Sequence, residues 1–270
     1  MKKRVLTACI GVPFLVFVLA HGGWLAEVVI VLLAAIAMNE CYRALRSAGY
    51  NICVWGGYIA VLCMWPFSRI KGGLDPLLLV TGAMGISITG VLLSKDPTFP
   101  NAAASVYPLF TALLPMSMFL MMMNRSFGTV PGAALVTLAF AVAFLGDAAA
   151  YFGGKAFGKQ KLCPEISPHK TVEGAVFYTV AGILGCVIVR TVLVQALHIP
   201  MPGLPASVLL GFLGAIAGQI GDLSASLLKR YSGIKDYGHV FPGHGGVMDR
   251  FDSVIFTLIV FYCYTLVLTI

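Results

Sequence analysis

GDLSASLLKRYSGIKDYGHVFPGHGGVMDRFD, residues 221–252, is a polar segment between two runs apolar enough to cross a bilayer, 203–228 and 251–270. It holds four of the chain's eleven acidic residues and four of its eighteen basic ones. Charge beside lipid is costly unless it is paired, solvated or used. The segment therefore marks where a pair of membrane helices turns and where chemistry is expected.

Outside it, the composition is that of a membrane protein. Of 270 residues, 59% are hydrophobic and 11% charged, against about 25% charged in soluble domains. Apolar runs at 5–20, 24–38, 52–67, 74–93, 102–123, 129–150, 174–197, 203–228 and 251–270 predict an all-α integral membrane protein of about nine transmembrane helices. The first two runs are short and read as a tight helical hairpin. Residues 1–4 give a positive start like that of a signal peptide, but further spans follow, so the first helix is read as uncleaved. Pro108 and Pro115 are tolerated inside a membrane helix. Gly214 and Gly218 have the spacing for close helix contact. The chain reads as one polytopic domain, 1–270, in which 1–128 carries no identifying motif and 129–270 carries the catalytic helices and loops.

Lys and Arg set the orientation. With the N-terminus in the cytoplasm and spans alternating, fourteen of the eighteen lie inside, leaving Arg69, Lys71, Arg125 and Arg190 outside. This predicts a cytoplasmic N-terminus and an outside C-terminus, with loops 151–173 and 229–250 both cytoplasmic. The net charge of +7 suits anionic headgroups. No basic arm or soluble module suggests nucleic acid. Seven cysteines without a C-x-x-C pair suggest neither a zinc site nor a disulfide framework.

Asp147 and Asp222 sit within apolar runs. Asp222, Ser226 and Lys229 recur at helical spacing and share one face, as do Asp249 and Asp252 at the start of the last run. Because the loop returns the chain to the same surface, Asp222 and Asp249 are expected at similar depth, with Asp147 comparable on a third helix. Carboxylates among cations suit a polyphosphate carried with a metal. Mg²⁺ takes oxygen ligands, often one or two carboxylates plus substrate phosphates, and Lys or Arg neutralises what remains. Gly245 and Gly246 would let backbone amides approach an anion at the N-terminus of the last helix. His244 suits loop shaping or phosphate binding better than a base. Glu27, Glu40, Asp75 and Asp96 fall near run ends, where a solvated or interfacial role suffices. The Met121–Met123 run reads as packing or lipid-facing material.

Ser226-Leu-Leu-Lys229-Arg230, then Lys235-Asp236, then Pro242-Gly-His244-Gly245-Gly246-Val-Met-Asp249-Arg250-Phe-Asp252 resembles the hallmark motif of the phosphatidate cytidylyltransferases, or CDP-diacylglycerol synthases. The match has no gap. A looser upstream match runs through Asp147, Tyr151, Gly154, Phe157-Gly158-Lys159, Ser167-Pro168-His169-Lys170-Thr171 and Glu173-Gly174. There Lys155 and His169 stand where Arg and Lys are expected. The resemblance implies an enzyme that joins CTP to phosphatidic acid, giving CDP-diacylglycerol and pyrophosphate. It implies a homodimer in the bilayer of a bacterial inner membrane, its active site facing the cytoplasm, with Mg²⁺ and a monovalent cation such as K⁺ as a further candidate.

On that footing Asp222 and Asp249 are the metal candidates, and Lys229, Arg230, Lys235 and Arg250 hold phosphate. Asp236, His244 and Asp252 complete the catalytic set. Asp147, Ser167, Lys170, Thr171, Ser226, Gly245 and Gly246 are the nucleotide or phosphate contacts. Two rivals stand beside this reading. A CTP-dependent polyprenol or lipid kinase would release CDP. An ion-coupled transporter would place its acids near the midplane of related halves, and no repeat is visible.

Overall fold

The computed structural model describes residues 2–70, 75–243 and 245–268. Lys71 and His244 lie outside the described residues. The chain forms two compact units, Met1–Asn124 with Leu228–Phe251, and Arg125–Leu227 with Asp252–Ile270. Residues 228–251, three quarters of the polar segment 221–252, thus belong with N-terminal helices that carry no motif of their own.

In the first unit, α1 (Lys2–His21) turns at Gly22 into α2 (Gly23–Ser47). The first two apolar runs are thus two helices joined at Gly22, the second of them 25 residues long. The polar stretch after Met38 continues the helix because one side of it is buried, through Glu40, Cys41, Ala44 and Leu45. Next come α3 (Trp55–Arg69) and α4 (Pro76–Leu92). Asp75 caps α4 by accepting from the Leu77 amide at 2.9 Å, with Pro76 pre-set for the first helical turn. A single rod follows, made of α5 (Phe99–Pro108), a π-helical turn Leu109–Leu113, and α6 (Leu114–Met123). Pro115 has no amide to bond back, and the wider turn before it absorbs the change of register. All of α6 is buried, so the three methionines at its end are core packing.

Glu27 and Glu40 correct the sequence expectation. Neither is solvated at a helix end; both are buried, at 1% and 2% exposure. Glu27 accepts hydrogen bonds from Trp65 Nε1 at 2.6 Å and Arg69 Nη2 at 2.7 Å, tying α2 to α3.

In the second unit a two-residue hairpin, β1 (Ser126–Phe127) and β2 (Val130–Pro131), leads into α7 (Gly132–Phe157). A second hairpin, β3 (Lys161–Cys163) and β4 (Ser167–Thr171), joins α7 to α8 (Val172–Gln195). These strands had no signature in the apolar pattern, which reads the connection only as a polar loop. Then come α9 (Leu204–Tyr231) and α10 (Met248–Leu268). Gly214 and Gly218 do allow close contact: a Cβ on Gly218 would fall 2.9 Å from Thr257 Oγ1, and Thr257 donates to the Gly214 carbonyl at 3.1 Å.

Among the described residues, six helices are long and apolar enough to cross a membrane: α2, the Phe99–Met123 rod, α7, α8, α9 and α10. Helix α4 is apolar but shorter. Large side chains such as Leu32, Val176, Ile188 and Leu209 stand exposed along these helices. A lipid surround accounts for that pattern where water would not. The protein is an all-α membrane protein.

Candidate active site

The second unit contains a cavity of about 510 Å³ whose lining includes Asp147, Tyr151, Lys155, Lys170, Tyr178 and Asp222. Its wall is built from the β3–β4 hairpin outward. Thr171 ends β4 and caps α8, accepting from the Gly174 amide at 3.1 Å. Glu173, in the first turn of α8, accepts from the Lys159 amide at 3.0 Å. Together they lash the hairpin to α8 and leave Lys170 aimed into the cavity. There Lys170 Nζ lies 2.5 Å from Asp222 Oδ2 on α9, each side chain 27% exposed. Ser226 Oγ lies 3.5 Å from Asp222 Oδ1. Asp147, also in the lining, accepts at Oδ2 from Ser253 Oγ at 2.9 Å.

The first unit holds a different arrangement. Asp249, in the first turn of α10, has both oxygens engaged. Oδ1 lies 2.8 Å from Lys229 Nζ, and Oδ2 accepts from the amides of Tyr237 at 2.7 Å and Gly246 at 2.9 Å. Lys229 also stands over the Tyr237 ring, 5.6 Å from its centroid. Around this knot the loop opens a polar basin of about 450 Å³, lined by Lys235, Asp236, His239, Gly243, Gly245 and Arg250 among others.

Three amides at the start of α10, those of Gly246, Val247 and Met248, are therefore not open to an outside anion. Gly246 is bonded to Asp249, while Val247 and Met248 donate to Glu40 Oε1 at 3.0 Å and Oε2 at 2.8 Å. The electrostatic pull of the helix start is real, but the protein's own carboxylates use it. For Gly246, this corrects the expectation of an amide available to phosphate.

Of the residues picked from sequence, the cavity unites Asp147, Lys170, Thr171 and Asp222, and the basin unites Lys235, Asp236, Gly245 and Arg250. Thr171 has its hydroxyl committed to the cap. Ser167 pairs across the hairpin with Cys163 and lines neither space. Arg230 and Asp252 also line neither, and Asp252 Oδ1 accepts from the Ser253 amide. Sequence reading does not single out His239 or Tyr178, and it gives Glu40 only a solvated or interfacial role. A signal for Glu40 was available: it lies three residues past Ala37 and four before Ala44, on the buried stripe of α2.

Among the described residues, no group of three or more His, Cys, Asp and Glu could hold a metal ion. A cage made of protein alone is thus not built here. The donors present are hard oxygens in ones and twos, led by Asp222 with Ser226. That chemistry fits Mg²⁺ completing its shell with substrate phosphate.

The model of the cytidylyltransferase family matches residues 2–268. A phosphatidate cytidylyltransferase of Bacillus subtilis is 31% identical over 265 residues, 96% of this chain and 95% of the relative. One of Staphylococcus saprophyticus is 34% identical over 264 residues, 96% of each chain. A chloroplastic phosphatidate cytidylyltransferase of Arabidopsis thaliana is 30% identical over 285 residues, 95% of this chain and 71% of the relative.

Proposed function

The chain belongs to the cytidylyltransferase family, and on that premise we propose that it transfers the cytidylyl group of CTP to phosphatidic acid within the membrane. The observation that carries the reading is the cavity beside membrane-crossing helices, where Lys170 and Asp222 meet among largely apolar walls. Such a space suits a phosphate whose acyl chains stay in lipid. Extracting those chains would cost about 0.8 kcal/mol per CH₂. The polar basin, with Lys235, Arg250 and His239, suits the triphosphate of CTP.

A phosphate oxygen of phosphatidic acid attacks the α-phosphorus of CTP. The bond from that phosphorus to the bridging oxygen breaks, and pyrophosphate leaves with the electron pair. The attacking oxygen is already ionised near neutral pH, so no strong base is needed. Positioning two anions and neutralising their charge is the main demand. Lys170 would draw the lipid phosphate in as it leaves Asp222, and Lys235 and Arg250 would hold the nucleotide. Bound Mg²⁺ would supply charge neutralisation at the reacting phosphates. Asp222 is the first candidate to hold it. Asp249 is the second, and Lys229 would have to release Oδ1 to a metal and turn to phosphate. A monovalent cation such as K⁺ is part of the same proposal.

The finer topology is proposed likewise: nine spans, the N-terminus cytoplasmic and the C-terminus outside, in a bacterial inner membrane, with the site facing the cytoplasm and the chain a homodimer. The charge count supports the orientation.

The test is purified protein in mixed micelles with phosphatidate, CTP and Mg²⁺, assayed for products. CDP-lipid and pyrophosphate in equal amounts are expected. Release of CDP with a phosphorylated lipid would establish the kinase instead, and absence of both products from folded protein would overturn the reading.

A further inference from the structure

We infer that Glu40 is a positioning residue: its carboxylate is the template around which the phosphate-basin loop folds, although it comes from a helix that carries no part of the motif. Four observations converge on it. Glu40 is 2% exposed. Its two oxygens each take one amide of the α10 start, from Val247 and Met248. A Cβ on Gly238 or on Gly246 would run into Oε1, so the loop presses its backbone against the carboxylate at two points. The residues between those two glycines include His239, Gly243 and Gly245 of the basin, with Lys235 and Arg250 just beyond.

A buried carboxylate is an expensive way to fill space, since burial disfavours its charge and an apolar side chain packs without that penalty. What a carboxylate supplies here is direction. Two amides pointing at two oxygens set the orientation of the first turn of α10, and with it the side of the turn from which Arg250 extends. Asp249 closes the same turn from within, through Tyr237 and Gly246. Glu40 thus does for the α10 start what an anionic ligand would do, but permanently. The nucleotide phosphates then meet side-chain cations in a loop already shaped. This inference deepens the proposed function, resting on the reading that the basin receives the triphosphate of CTP.

The test uses Glu40→Gln in the full chain in detergent or bilayer discs. Gln keeps the size, but its amide group faces a backbone N–H with another donor, so one of the two bonds is lost. The Val247 and Met248 amides are expected to exchange with deuterium roughly 10- to 100-fold faster, the range for one hydrogen bond to a charged acceptor. In turnover, KM for CTP is expected to rise about tenfold with KM for phosphatidate within about twofold, the mark of lost ground-state binding of one substrate. Gly238→Ala is the second variant. It removes no charge, crowds Glu40 at Oε1, and is expected to show the same split, which decides the matter if Glu40→Gln does not fold. Wild-type exchange at Val247 and Met248, or both KM values moving together with the melting temperature, would overturn the inference. If the wild-type protein makes no CDP-diacylglycerol, the functional reading falls, and the exchange measurement still judges whether Glu40 shapes the loop.

Discussion

Lys229 and Asp249 form an enclosed pair: 2.8 Å apart, with side chains only 18% and 3% exposed. Asp222 and Lys170 form a closer pair at 2.5 Å, but each is 27% exposed. Two aspartates that stand alike as metal candidates in the sequence therefore sit in different dielectric surroundings. Removing one partner of a buried pair leaves an uncompensated charge, whereas a solvated pair loses little.

Asp249→Asn is expected to lose both turnover and stability. The amide group of Asn must face either the Lys229 ammonium or a backbone N–H, so at least one donor opposes another donor. A loss of about 2–4 kcal/mol is expected, toward the low end of a buried-pair break because Lys229 keeps some water. Thermal or denaturant unfolding of purified protein measures it. An unchanged midpoint would mean that the Asp249 knot does not hold the loop.

Asp222→Asn is expected to separate the two effects. Its pair with Lys170 is partly solvated, so stability should fall by less than about 1 kcal/mol. On the proposal that Asp222 holds Mg²⁺, turnover should fall by at least about 100-fold at matched Mg²⁺, because Asn offers the metal no anionic oxygen. Near-normal activity across a Mg²⁺ titration would remove Asp222 from the metal assignment.

The contrast shows what the sequence could and could not say. Apolar runs located the helices, because lipid demands continuous apolar length and satisfied backbone bonds. Helical spacing put Asp222 and Ser226 together, and they are. Periodicity could not show that Val247 and Met248 had already found an acceptor, because that acceptor lies about 200 residues earlier in the chain. It also missed the β3–β4 hairpin, whose pairing rests on turn geometry and local caps with no apolar alternation. Glu40 was dismissed because it lies near the end of an apolar run, where water is the usual partner. Its burial depends on a loop that only the folded chain brings to it.

Asp147→Asn should retain the Ser253 bond, since the Asn carbonyl still accepts from Oγ. Stability is then expected within about 1 kcal/mol of the parent, with kcat/KM reduced at least about tenfold if the cavity needs the negative charge. A lower melting temperature with full turnover would show that Asp147 serves packing alone.

Gly245 and Gly233 make a matched test of how the loop is held. Both have positive φ, +86° and +66°. Gly233 follows the end of α9, with its own amide and that of Ile234 closing the helix onto Arg230 and Lys229, and a Cβ there meets open space. A Cβ on Gly245 would stand 2.6 Å from Asp249 Oδ2. Gly233→Ala should therefore cost only the backbone strain, about 1–2 kcal/mol, and leave kcat/KM within about twofold. Gly245→Ala carries the same strain and also pushes Asp249 away from the amides of Tyr237 and Gly246. It should be the less stable of the two and should lose most of its turnover. Paired unfolding curves and initial rates decide the point: equal stability for the two variants would show that the Asp249 carboxylate yields freely and does not knot the loop.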